Sequence, residues 1–130
     1  MGHLLDTDVV IDFLKGDLPT ERLIDPLVQA GIALSMITYM EIYQGIVESP
    51  DSAALEVEFE AFLKTVKLLP LSTDAARRCA RLRAALKQQG KRIRPRALDL
   101  ITAATALEHR LTLVTRNRAD YDDVPGLALL

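Results

Sequence analysis

Short apolar runs alternate along the chain with longer segments in which apolar residues recur at helical spacing. The apolar runs have the length and composition of buried strands and lie at 3–5, 32–37, 66–71, 111–115 and 127–130. The helical segments lie between them, at 9–16, 19–31, 38–48, 53–64, 73–90 and 96–110. Strands separated by helices pair in parallel through right-handed crossovers. The pattern therefore predicts an α/β fold with a parallel sheet of about five strands and helices on both faces.

Polar side chains gather where such a fold binds ligands, beyond the carboxyl ends of the strands. Asp6 follows the first strand directly, and Glu41 lies one turn into the helix after the second strand. Asp99 lies in the first turn of the helix before the fourth strand, and Asn117 and Asp120 follow that strand. We expect these side chains to converge on one edge of the sheet.

Three of these acids, Asp6, Glu41 and Asp99, lie in apolar sequence. Leaving a buried charge without its partner costs several kcal/mol, roughly 3–5 in measured pairs. Few lysines or arginines lie close to these acids in sequence, so a bound divalent cation is the expected compensator. The neighbouring Asp8 differs, because it or Thr7 is expected to cap the helix that follows.

Composition indicates one globular domain over residues 1–130, with 49% hydrophobic and 26% charged residues. No apolar run is long enough to span a bilayer, and no signal-peptide pattern opens the chain, so no membrane partner is expected. The single cysteine, Cys79, cannot form an internal disulfide, which fits a reducing, cytoplasmic setting.

The net charge of −2 is unevenly distributed. Residues 1–66 hold 12 acids and 3 bases, whereas residues 67–130 hold 6 acids and 13 bases. This asymmetry is typical either of a polyanionic partner or of solvated helix faces. The basic residues between Arg77 and Lys87 need only the second explanation, since they lie along one predicted helix.

A second basic group lies next to the predicted acidic site and is a candidate contact for a phosphodiester backbone. Its members are Arg92, Arg94, Arg96 and Arg116. Aromatic residues make up only 5% of the chain, which argues against a platform for base stacking.

Four motifs, in this order and spanning essentially the whole chain, carry a family resemblance: LLDTDVVIDFL, ITYMEIYQG, ALDLITAATAL and LVTRNRADYDDVPGLAL. Together they resemble the PIN-domain ribonucleases and, more narrowly, the VapC-type toxins of type II toxin–antitoxin systems. The resemblance implies a three-layer α/β/α fold and RNA cleavage that depends on Mg²⁺ or Mn²⁺.

Asp6, Glu41 and Asp99 match the first three acids of that family. The fourth is ambiguous, because some members carry an acid at the position of Asn117 and others at the position of Asp120. We assign Asp120 to the catalytic and metal site provisionally. Asp6 and Asp99 are expected to bind metal directly, and Glu41 to bind it or to orient the attacking water. The expected supporting residues are Thr7, Thr115 and Asn117.

The resemblance also implies a cognate VapB-type antitoxin that blocks the site, and a homodimer. Apolar and aromatic residues of the predicted helices at 38–48 and 51–64 could form the dimer surface or belong to the core. The aromatic members of this group are Tyr39, Tyr43, Phe59 and Phe62.

Two alternatives compete with the nuclease. One is a PIN-like module that binds RNA or protein without cutting it, although all three core acids are present. The other is a haloacid-dehalogenase-type phosphatase with Asp6 as nucleophile, a pattern that expects threonine where this chain has Val10.

Overall fold

The structure is a computed structural model that describes residues 2–130, and in that range it contains four strands and six α-helices. In chain order they are β1 (His3–Leu5), α1 (Thr7–Leu14), α2 (Leu18–Ile24), β2 (Ile32–Ser35), α3 (Met36–Val47), α4 (Ser52–Leu63), β3 (Lys67–Leu69), α5 (Thr73–Gln88), α6 (Ala97–Glu108) and β4 (Thr112–Val114). Every pair of strands is parallel, in the order β3-β2-β1-β4. The predicted parallel α/β architecture is confirmed.

The sheet separates two apolar clusters, because successive strand residues point to opposite faces. Leu4 belongs to the cluster covered by α5 and α6, whereas Leu5 belongs to the cluster covered by α1 to α4. Both leucines are fully buried. Three layers result, and the helix after each strand starts at the same edge of the sheet.

Two predicted elements differ from the observed ones by more than two residues at one end. Residues 127–130 do not form a fifth strand in the described chain, since only Leu129 pairs, through a single parallel bridge to Leu113. The helix predicted over 19–31 leaves α-helical geometry before Pro26, where a short 3₁₀ turn follows. Proline has no N–H to donate to the preceding helical turn, which explains this early end.

The aromatic residues of α3 and α4 mostly belong to the core. Phe59 and Phe62 are buried, and the ring centroid of Tyr39 lies 5.5 Å from that of Phe59. The hydroxyl of Tyr43 donates to Glu56 at 3.1 Å and ties the two helices together. Of the two interpretations open from sequence, the structure supports the core for both phenylalanines.

None of the helices in residues 2–130 combines the length and the apolar character that crossing a bilayer demands.

Candidate active site

Asp6 lies where β1 ends and α1 begins. Its N–H donates to the Val114 carbonyl of β4 at 2.9 Å, and its Oδ1 accepts the N–H of Thr7 at 3.0 Å. Asp6 is therefore the N-cap of α1, and the expectation that Thr7 or Asp8 caps this helix is wrong. Asp8 instead accepts the N–H of Val9 at 2.7 Å. The pKa of Asp8 is raised, mainly by burial and in second place by the negative charge of Asp6.

The hydroxyl of Tyr121 joins Asp6 to Asp99. It lies 3.1 Å from Asp6 Oδ2 and 3.2 Å from Asp99 Oδ1, and the tyrosine is only 1% exposed. Burial, reinforced by the two carboxylates, raises the pKa of Tyr121 well above its usual value, so the phenol keeps its proton. One hydroxyl proton serves one acceptor at a time. The two carboxylates thus share a single hydrogen-bond donor.

Tyr121 is a site residue that the sequence analysis missed. Its only signal in the sequence is its place directly after Asp120. Nothing in that pattern indicates that the tyrosine turns inward to reach acids on two other elements.

Thr115 supports Asp6 from the end of β4. Its hydroxyl donates to Asp6 Oδ2 at 2.8 Å and accepts the N–H of Asn117 at 3.0 Å. Thr115 is buried, whereas Asn117 is exposed. The loop after β4 is therefore fixed to Asp6 through the threonine hydroxyl and not through the asparagine side chain.

Asp99, in the first turn of α6, is half-buried and lies near the negative charges of the other acids. Burial is the main cause that raises its pKa to about 6, and the negative charge of Asp6 is the second. The charges of Asp120 and Glu41 raise it further, and the hydrogen bond from Tyr121 opposes them only in part. The fold thus brings the four acids predicted from sequence into one electrostatic neighbourhood.

Glu41 is held by a chain of hydroxyl groups. Thr7 donates to Glu41 Oε1 at 2.6 Å, the short length typical of a hydrogen bond to a charged acceptor. The Thr38 hydroxyl lies 3.1 Å behind that of Thr7, and the buried Ser35 hydroxyl continues the chain to Thr102 at 3.2 Å. These contacts fix the carboxylate of α3 relative to both α1 and α6.

Glu41 and Asp99 line one cavity of about 270 Å³, here called the acidic cavity. The rest of its lining comes from residues 94–98, the 3₁₀ turn and the start of α6. The second oxygens of both carboxylates, Asp99 Oδ2 and Glu41 Oε2, accept no hydrogen bond from the described residues. Both remain available to a ligand.

The family profile described as PIN domain matches residues 3–127. The chain belongs to the PIN-domain family. It is 28% identical to the tRNA(fMet)-specific endonuclease VapC of Shigella flexneri over 127 residues, which cover 98% of this chain and 95% of that protein. It is 31% identical to Toxin FitB of Neisseria gonorrhoeae, with 91% and 89% covered.

Solved structures agree with this assignment. The chain resembles one in the crystal structure of VapBC2 from Rickettsia felis bound to a promoter DNA fragment, with a TM-score of 0.91 at 25% identity. That match covers 100% of this chain and 98% of the other. The match to FitAcB from Neisseria gonorrhoeae has a TM-score of 0.84 at 28% identity, over 98% and 95%. This PIN domain is thus of the VapC type, and the phosphatase alternative does not stand.

PIN ribonucleases generally depend on a divalent metal, and the donor chemistry of this site fits one. Within residues 2–130, no three acidic, histidine or cysteine side chains are grouped closely enough to ligate one ion together. Mg²⁺ in proteins usually takes only one or two carboxylates and keeps several waters. Two carboxylates held at one hydroxyl, with no cation paired to them among the described residues, match that mode of binding.

Arg96, a predicted RNA contact, is largely engaged by bonds within the protein. It is 8% exposed, and its guanidinium donates to both carboxylate oxygens of Asp123, at 2.6 and 2.7 Å. It also donates to the carbonyls of Asp120 at 3.1 Å and Arg92 at 2.7 Å. With these four bonds made, Arg96 fixes the turn that carries Asp120.

Arg116 is also engaged, although it is exposed. It pairs with Asp12 at 2.9 Å and Asp17 at 3.7 Å, and it donates to the hydroxyl of Thr20. The other two basic candidates, Arg92 and Arg94, are exposed and form no ion pair within residues 2–130. They are the members of the predicted basic group that remain open to a phosphate.

Proposed function

We propose that this PIN domain is the toxin of a type II toxin–antitoxin system and hydrolyses RNA phosphodiester bonds with a divalent metal ion. The main support for this proposal is that Asp6 and Asp99 share the hydroxyl of Tyr121, while burial raises the pKa of Asp99 to about 6. Such an arrangement disfavours two negatively charged carboxylates without a counterion and favours a bound cation. The ribonuclease names of the relatives support the choice of RNA.

Each side chain of the site has a distinct task in this proposal. Asp6 and Asp99 would hold the metal, Mg²⁺ or Mn²⁺, because each has a carboxylate oxygen within 3.2 Å of the same Tyr121 hydroxyl. Glu41, fixed by Thr7, orients a water for attack on the phosphorus. When bound, the metal would polarise the phosphate and make a coordinated water more acidic. Thr115 keeps Asp6 in position.

We assign the fourth acid to Asp120. Its charge acts on Asp99, as the raised pKa of that residue records, and Arg96 anchors its backbone carbonyl. Asn117 is exposed and contributes its backbone N–H to Thr115. We propose that its side chain at most steadies water at the rim of the acidic cavity.

A VapB-type antitoxin is the proposed partner, because the similar structures include VapBC and FitAB complexes. The described surface offers an apolar groove of about 360 Å³ between α1, α3 and α4, and Glu41 lies at its border. The apolar side chains that line it are Ile11, Leu14, Ile42, Ile46 and Leu55. An antitoxin segment in this groove would reach the acidic cavity and could block it. We further propose one domain over 1–130, a homodimer and a cytoplasmic location, where RNA substrates occur.

Cleavage of RNA in Mg²⁺ and in excess chelator tests this function, with Asp99→Asn as the variant and Asp74→Asn as its control. Both aspartates lie in the first turn of a helix, but Asp74 is exposed and is not among the charges that raise the pKa of Asp99. We expect chelator and Asp99→Asn each to lower cleavage by more than about 100-fold, beyond the loss usual for residues that only support metal ligands. Asp74→Asn should cleave like the wild type.

Undiminished cleavage in chelator, or equal cleavage by the two variants, would contradict the proposal. A wild type that binds RNA without cutting it in any divalent metal would favour the non-catalytic PIN-like module instead.

A further inference from the structure

The basic residues of α5 divide into two groups that the sequence does not separate. Arg83 and Lys87 line an open groove of about 620 Å³, together with Arg92 and Arg94 of the following loop. Arg77 and Arg81 are exposed elsewhere on the helix. Arg81 lies two positions before Arg83, about 200° around the helix axis. Only the first group shares a surface with the loop that leads to the acidic cavity.

The four cations of this groove, here called the basic groove, are not neutralised by the protein. None of the residues that line the groove is acidic, and none of its cations forms an ion pair within residues 2–130. Other arginines of the described chain do have partners: Arg78 pairs with Glu108, and Arg96 with Asp123. A local excess of positive charge of this kind attracts an anionic partner.

The basic groove adjoins the acidic cavity, because Arg94 and Pro95 line both. An RNA chain with one phosphate at Asp99 can therefore extend past Arg94 towards the groove. No aromatic side chain lines it, so contacts there would follow the phosphate backbone and not the bases.

We propose that the basic groove binds the RNA backbone on one side of the scissile phosphate, with Arg83 and Lys87 of α5 as phosphate contacts. This inference rests on the proposed function, since it takes the acidic cavity as the place of cleavage. The groove determines how tightly an extended substrate is held, while the acids carry out the chemistry. Its shared border with the acidic cavity favours RNA over an acidic protein segment, because one phosphate chain can occupy both.

The test compares two double variants that remove the same charge from the same helix: Arg83→Gln/Lys87→Gln and Arg77→Gln/Arg81→Gln. Binding of a labelled single-stranded RNA is measured by anisotropy across salt concentrations, with chelator present to prevent cleavage. Each lost phosphate contact should make the negative slope of log K against log salt shallower by about 0.7, so the slope of the groove variant should be shallower by about 1.4. The control variant should keep the wild-type slope, apart from the general effect of net charge.

Steady-state cleavage in Mg²⁺ provides the second readout. We expect the groove variant to raise KM for a long RNA with kcat nearly unchanged, and to leave cleavage of a dinucleotide unaffected. Equal salt slopes for the two double variants would overturn the inference, and so would a selective loss of antitoxin binding by the groove variant. Failure of the proposed function would look different, because the wild type itself would then not cleave.

Discussion

Two clusters of buried charge lie close together in this protein and are treated in opposite ways. Arg96 and Asp123 form a two-pronged ion pair, with bonds of 2.6 and 2.7 Å, and burial is compensated within the chain. Asp6 and Asp99 are both acidic and share only the hydroxyl of Tyr121. The pKa values record the contrast, because the ion pair lowers the pKa of Asp123 whereas burial raises that of Asp99 to about 6.

The difference separates a structural charge from a functional one. A buried ion pair whose charges compensate each other holds two segments together and does not need a bound ion. Two negative charges held at one hydroxyl repel each other and destabilise the metal-free fold. A bound cation can offset this repulsion. Because Arg96 also donates to the carbonyl of Asp120, the Arg96–Asp123 ion pair positions part of the acidic site.

The largest expected effect, a loss of folding stability, comes from breaking the ion pair between Arg96 and Asp123. Asp123→Asn leaves the guanidinium of Arg96 buried without a countercharge and should lower the free energy of unfolding by about 3 kcal/mol. This is the low end for buried pairs, because Asp123 is 22% exposed. Urea unfolding measures the change, and Asp122→Asn, at an exposed neighbouring acid, is the control. A loss no greater than that of the control would mean that the pair is not structural.

A smaller effect is expected from removing the hydroxyl group that joins Asp6 to Asp99. Tyr121→Phe removes the hydroxyl at 3.1 and 3.2 Å from the two carboxylates and keeps the buried ring. Mn²⁺ affinity, measured by titration calorimetry, should fall by about 10- to 100-fold, as for other residues that support metal ligands. Tyr43→Phe is the matched control, since its hydroxyl bonds Glu56 away from the site. Unchanged Mn²⁺ affinity in Tyr121→Phe would remove the tyrosine from the site.

The smallest effect is a pH dependence of the metal-free protein. The folded pKa of Asp99 is raised from 3.8 to about 6, so its proton stabilises the fold at low pH, and that contribution is lost as pH rises through about 6. The stability of the wild type, minus that of Asp99→Asn, should therefore fall between about pH 4 and about pH 7. Thermal unfolding in chelator measures both. A difference that rises with pH would show that Asp99 is stabilised as a carboxylate.

The parallel sheet and the convergence of the acids could be predicted from sequence, because parallel strands end at one edge. The placement of Asp6, Glu41 and Asp99 at that edge follows from this topology. The roles of Arg96 and Tyr121 could not be predicted. An arginine in a basic loop has the same sequence pattern whether it faces solvent or an aspartate 27 positions later, as Arg96 does. Only tertiary packing separates these cases.

The central claim is that Asp6 and Asp99 are kept close to each other in order to bind a cation. The most direct test is the unfolding temperature of the wild type and of Asp99→Asn, each in chelator and in Mg²⁺, at about pH 8 where Asp99 is ionised. We predict that Mg²⁺ raises the unfolding temperature of the wild type by several degrees and that of the variant by much less, and that in chelator the variant is the more stable protein. A wild type that does not respond to Mg²⁺, or a variant that responds equally, would contradict the claim.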